Sequence, residues 1–180
     1  MMNKLRYGLL AFMLVIVLPA FSQEGNTAVK WYTVEEAEKL SRAEPRKWLV
    51  DVYTDWCGWC KKMDKETFSH PAIAKLINEN YYAVKLNAES KDSINFNGKT
   101  YKYMEQGNKG YQELAVGLLN GQMSFPSIAY LNEELQLLGA VPGYKTPQSI
   151  EPLLNYIVEN KYTSQSLEDF QKTFQSKLTQ

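Results

Sequence analysis

The sequence predicts one α/β domain whose helices cover a central sheet. Three observations carry that expectation. Compact apolar, β-branched runs alternate with helical patterns along the chain. There is no internal repeat and no linker long enough to divide the chain. And 180 residues, 44% apolar and 22% charged, are enough for one buried core.

The first 22 residues stand apart from this domain. Lys4 and Arg6 precede an almost wholly apolar stretch, Tyr7 to Leu18, and Pro19-Ala20-Phe21-Ser22 supplies small residues before Gln23. This is the layout of a secretory signal peptide cleaved after Ser22. A retained anchor is the rival reading, but the run falls short of the ~20 apolar residues a spanning helix needs. The expectation is a cleaved leader over 1–22, a single domain over 23–180, and an exported, periplasmic or otherwise extracytoplasmic protein with no permanent membrane span. The 20 Lys+Arg balance 20 Asp+Glu, and no run of like charge exceeds two residues. A nucleic-acid partner calls for a basic surplus that is missing here.

Trp31-Tyr32 suits a short strand. Thr33-Val34-Glu35-Glu36 is a capping box that opens a helix to about Arg42, and Pro45 stops it. Lys47 to Thr54 reads as a buried central strand. A helix is expected over Lys61 to Phe68 and another over Ala72 to Asn80, with Pro71 at its first position. Tyr81 to Asn87 is a second strand. Ile94 to Tyr101 alternates around Asn97-Gly98, which marks a hairpin. A helix over Tyr111 to Leu119 follows, then strands over Pro126 to Asn132 and Leu135 to Val141. A helix over Ile150 to Asn160 accommodates Pro152 only in its first turn. Ser166 resembles another cap, and Leu167, Phe170, Phe174 and Leu178 make an amphipathic helix over about 166–178 that packs on the domain.

The chemistry lies in Trp56-Cys57-Gly58-Trp59-Cys60-Lys61, between a buried strand and a helix. These are the only two cysteines. A disulfide between them closes too small a loop to stabilise much. Zinc is disfavoured, because a closed site wants four ligands and His70 is the one histidine. At a helix start Cys57 meets unpaired N–H groups, which lower a thiol's pKa. Cys57 is therefore expected to be the exposed attacking thiol and Cys60, one turn on, the buried one that resolves the mixed disulfide. Gly58 would keep the turn free of a side chain that blocks the sulfur.

Asp51 interrupts an apolar strand, where a carboxylate is costly without a partner or a task. Alternation places it with Leu49 and Tyr53 on one face. It is either a buried proton acceptor near Cys60 or a strand residue facing water. Lys85, in the second strand, either pairs with Asp51 or lines an exposed edge. Pro126 heads a strand, where it cannot donate to the sheet. A cis Phe125–Pro126 bond is one option at that position, although most such bonds are trans.

These pieces resemble a known family. Leu49 through Lys61, Ala83 through Asn87, Phe125 through Leu131 and Gly139 through Gly143 are similar to thioredoxin-fold thiol–disulfide oxidoreductases over about residues 45–160. The run after the cysteines, ending Thr67-Phe68-Ser69-His70-Pro71, resembles the thioredoxin-like domains of exported disulfide reductases. The resemblance implies a three-layer α/β/α fold with a mixed sheet of four to five strands. It implies Cys57 as nucleophile, Cys60 as resolving thiol, Asp51 as the buried acid and Lys85 as its neighbour. It implies a cis-proline at Pro126, and an apolar lip of Trp56, Trp59 and Phe125 that touches a partner polypeptide. Gly58-Trp59 departs from the family's usual dipeptides. The insertion over about 89–108 has no counterpart in the minimal fold and either covers a sheet edge or adds a partner surface.

The expected function is an exported thiol–disulfide oxidoreductase, a reductase exchanging electrons with protein thiols and disulfides and with a separate redox partner. No cofactor motif is present beyond the cysteine pair itself. The alternatives are a thioredoxin-fold binding or chaperone-like module, and an oxidase or isomerase.

Overall fold

The sheet grows outward from its most apolar strand. In the computed structural model, which describes residues 28–107 and 109–178, Lys47–Tyr53 (β2) is buried along almost its whole length. Both of its edges are occupied. Tyr81–Asn87 (β3) runs parallel to it on one side and Ser127–Leu131 (β8) antiparallel on the other. Trp31–Tyr32 (β1) adds in parallel to β3, and Leu137–Pro142 (β9) adds antiparallel to β8. The result is a mixed five-stranded sheet in the order β1-β3-β2-β8-β9.

Helices cover both faces, because β2 presents apolar side chains in both directions. On one face Leu49 packs with Met63, Ile73, Ile77, Ile150 and Leu154. Those residues belong to Gly58–Met63 (α2), Pro71–Asn80 (α3) and Pro147–Val158 (α5). On the other face Val50 and Val52 pack with Val34 and Ala37 of Val34–Ala43 (α1) and with Leu114 and Leu118 of Glu113–Leu118 (α4). The capping box at α1 is formed as expected. Thr33 Oγ1 accepts the Glu36 N–H at 3.2 Å, and Glu36 Oε2 accepts the Thr33 N–H at 2.9 Å.

The chain between β3 and β8 departs most from the sequence reading. The Asn97-Gly98 hairpin is present, with Ile94–Phe96 (β4) paired to Lys99–Tyr101 (β5) and positive φ at both turn residues. A second hairpin was not anticipated. Tyr103–Gln106 (β6) pairs with Lys109–Gln112 (β7), so Tyr111 and Gln112 are strand where a helix was expected. The cause is Gln112, which is fully buried. Its Oε1 accepts the Leu114 N–H at 2.9 Å and so caps α4, while Nε2 donates to the Asp92 and Tyr101 carbonyls.

Other corrections are smaller. The helix after the cysteines begins at Gly58, not Lys61, and continues as a π-helical turn over Asp64–Phe68. α5 starts at a Thr146 cap with Pro147 first, which leaves Pro152 inside the helix and not in its first turn. The terminal helix, Leu167–Thr173 (α6), ends five residues short of 178. Glu151 explains why, since its carboxylate accepts from Ser176 Oγ and from the Lys177 N–H, which holds this stretch extended. Leu167, Phe170, Phe174 and Leu178 still pack on the α5 side of the core. The expected leader over 1–22 lies outside the described residues.

Candidate active site

β2 ends at Tyr53, and the chain turns at once into the cysteine segment. The Cys57 N–H donates to the Thr54 carbonyl at 3.1 Å, which closes that turn. Cys57 then takes the N-cap position of α2, where its Sγ accepts the Cys60 N–H at 3.0 Å. The two cysteines are joined as a disulfide, with Cα atoms 5.3 Å apart. Both are buried, Cys57 at 4% exposure and Cys60 at 2%. Exposure therefore does not separate them as expected in this oxidised state; what separates them is the cap position and the N–H aimed at Cys57 Sγ. A Cβ built at Gly58 would meet nothing within 4 Å, so the turn does not need glycine for room.

The indoles beside the disulfide are the most exposed large apolar side chains described, Trp56 at 66% and Trp59 at 59%. Trp56 meets the Phe125 ring edge-on at 6.1 Å, and its Nε1 donates to the Glu89 carboxylate at 3.0 Å. Trp59 lies 5.5 Å from Tyr144, with the Lys62 ammonium close to both rings. The Phe125–Pro126 peptide bond is cis. The Pro126 carbonyl accepts the Gly143 N–H at 2.7 Å. Among the described residues nothing hydrogen-bonds the Phe125 N–H or C=O.

Beneath the disulfide-bearing helix lies a charged cluster. Asp51 is fully buried, and the β2–β3 register sets it beside Lys85, whose Nζ is 2.6 Å from Asp51 Oδ2. The other oxygen, Oδ1, is buried with no hydrogen-bond partner among the described residues. Burial raises the Asp51 pKa to about 6 even though Lys85 pulls it down. Burial opposes the charge on Lys85 too, but Asp51 and Asp64 outweigh it and raise the Lys85 pKa.

Asp64 was not anticipated from the sequence. It shares the Lys85 ammonium with Asp51, and its own N–H donates to the Cys60 carbonyl. The Lys85 ammonium also sits over the Trp31, Tyr53 and Phe68 rings at 4.8–5.8 Å. The π-helical turn brings Asp64 and Phe68 onto this one ammonium. The signal available in the sequence was spacing, since Asp64 follows Cys60 by one helical turn. Glu89 carried no signal, because its contact with Trp56 depends on how the insertion folds back.

Among the described residues no cluster of three or more His, Cys, Asp or Glu side chains could hold a metal ion. No described helix is long and apolar enough to cross a membrane.

Comparison with known proteins agrees with this geometry. Residues 34–158 match the thioredoxin-like domain family, and the chain belongs to it. It is similar to human spermatogenesis-associated protein 20, 29% identical over 77 residues, which are 42% of this chain and 10% of that protein. It is also similar to the thiol:disulfide interchange protein DsbD of Actinobacillus pleuropneumoniae, 38% identical over 45 residues, covering 25% of this chain and 8% of that protein. The matched segments are thus about a tenth of these relatives' length. Among solved structures a thioredoxin-fold protein from Helicobacter pylori superposes with a TM-score of 0.55 at 16% identity, covering 79% of this chain and 82% of that one. A thioredoxin from Thermus thermophilus gives 0.53 at 15% identity, covering 72% and 87%. The fold is that of the thioredoxins, and it carries the close cysteine pair of a thiol–disulfide oxidoreductase.

Proposed function

We propose that this protein is an exported disulfide reductase that acts on protein partners through Cys57 and Cys60. The observation that carries the reading is the pairing of a capped, redox-capable cysteine turn with a buried carboxylate of raised pKa on the adjoining strand. A module that only binds has no use for either feature.

In the reduced protein the Cys57 thiolate attacks one sulfur of a partner disulfide. A mixed disulfide forms and the first partner thiolate leaves, taking a proton from water. Asp51, ionised above about pH 6, accepts the proton of the Cys60 thiol. The Cys60 thiolate then attacks Cys57 Sγ, the second partner thiolate leaves, and the Cys57–Cys60 disulfide closes. Two electrons pass to the partner, and a dithiol redox partner must return them before the next cycle. Trp56, Trp59 and Phe125 supply apolar contact, and the unengaged Phe125 backbone offers an edge for an extended partner chain beside Pro126. The export layout of residues 1–22 supports an extracytoplasmic setting, and the local likeness to the thiol:disulfide interchange protein DsbD supports thiol–disulfide exchange.

Catalysed reduction of insulin disulfides by a small dithiol is the direct test. Wild type should accelerate it, and Cys57→Ser should abolish the acceleration. No acceleration by wild type would overturn the proposal.

A further inference from the structure

The insertion between β3 and β8 is firmly built. Gln112 ties it down by three side-chain hydrogen bonds, and the Gln112 N–H donates to the Ala88 carbonyl at 2.7 Å. Its second hairpin stands beside the disulfide. Tyr111 of β7 packs 6.2 Å from Phe125, and Phe125 packs on Trp56, so one aromatic row runs from the insertion to the cysteine turn. Next to this row opens a groove of about 360 Å³, lined by Trp56, Glu89, Lys91, Tyr103, Lys109 and Tyr111. Gly110 lets its floor close up, because a Cβ there would lie 2.5 Å from the Tyr103 ring.

The charges in the groove are unequal. The Glu89 carboxylate accepts the Trp56 indole N–H, which fixes the wall nearest the disulfide. The Lys91 and Lys109 side chains are exposed, and among the described residues neither ammonium has an ion-pair partner. Lys91 lies 5.7 Å from the Tyr103 ring centre. The lining carries two ammonium groups against one carboxylate, a net positive charge beside the aromatic row that ends at Trp56, the neighbour of Cys57.

We propose that this groove receives an acidic segment flanking the reactive cysteine of an extended partner polypeptide, and so selects partners for the thiol exchange. The inference rests on the redox reading above. A chain laid along the Phe125 backbone places its neighbouring side chains over Trp56 and Tyr111. A carboxylate there meets Lys91 and Lys109, while a basic side chain is repelled.

The test is single-turnover reduction by the pre-reduced protein, freed of reductant and followed by tryptophan fluorescence. The substrates are two peptides, each with one cysteine capped as a mixed disulfide with a small thiol. One carries Glu-Glu and the other Lys-Lys on both sides of the cysteine. Each turnover converts peptide disulfide and protein dithiol into free peptide thiol, free small thiol and the Cys57–Cys60 disulfide. The acidic peptide should react about tenfold faster at low ionic strength, and high salt should shrink that ratio. In the double variant Lys91→Glu, Lys109→Glu the ratio should fall to one or invert. A ratio measured within one preparation does not depend on how much of the variant is folded, and the salt dependence tests the inference on wild type alone. Equal rates, faster basic peptide, or a ratio unchanged in the variant would overturn it. If wild type reduces neither peptide nor a small disulfide such as hydroxyethyl disulfide, the redox reading itself falls and the groove with it.

Discussion

Asp51 bears on stability through its burial and, in the proposed mechanism, on rate as the acceptor of the Cys60 proton. In the unfolded chain its carboxyl ionises near pH 4, and in the fold near pH 6. The native state therefore holds a proton that the unfolded chain has released. Stability linked to Asp51 is fully present below about pH 4 and is lost as pH rises through about 6, by roughly 3 kcal/mol at most. Asp51→Asn should stabilise the protein at pH 8 by about 1–3 kcal/mol relative to its effect at pH 3. Denaturant titration of both proteins at the two pH values checks this, and an equal effect at both pH values would mean no shifted carboxyl. Asp64 acts on the same ionisation, because its charge raises the Asp51 pKa. Asp64→Asn should move the acid limb of disulfide closure to lower pH, whereas a merely structural role would change the rate at every pH alike. Asp51 was legible in the sequence because a carboxylate in an apolar strand stands out. Asp64 was not, because on an exposed helical turn it looks like any surface acid.

At the scale of elements, the sequence reading worked where one local signal dominates. The α1 capping box, the run at β2 and the Asn97-Gly98 turn each announce themselves within a few residues. It failed where a distant group decides. β6 (Tyr103–Gln106) and β7 (Lys109–Gln112) mix apolar and polar residues without alternation, and the Gln112 amide that caps α4 is held by the Asp92 and Tyr101 carbonyls, which are distant in sequence. From the sequence, Tyr111 to Leu119 therefore reads as one helix. Gln112→Leu keeps the volume but removes three buried hydrogen bonds, the Leu114 N–H cap among them. It should cost about 3 kcal/mol. Thermal unfolding would report it, and a neutral substitution would mean the buried bonds do not hold the insertion.

Across the molecule, element order gives a mixed α/β fold with helices over a central sheet, the thioredoxin-like character comes from the resemblance of the segments around Cys57, Lys85 and Pro126, and the candidate site comes from two cysteines at a strand–helix junction. The second hairpin, the groove beside Trp56 and the aromatic surround of Lys85 are products of assembly, since each joins residues that are far apart in sequence. The direction of electron flow belongs to the molecule as a whole, because it depends on the relative stability of the oxidised and reduced folds. It is therefore measured most directly by equilibrating the Cys57/Cys60 pair against dithiol–disulfide buffers and following the fluorescence of Trp56 and Trp59. A reductase should give a reduction potential near the ~−270 mV of thioredoxin, and a value near ~−120 mV, that of a strong oxidant, would contradict the proposed reductive role.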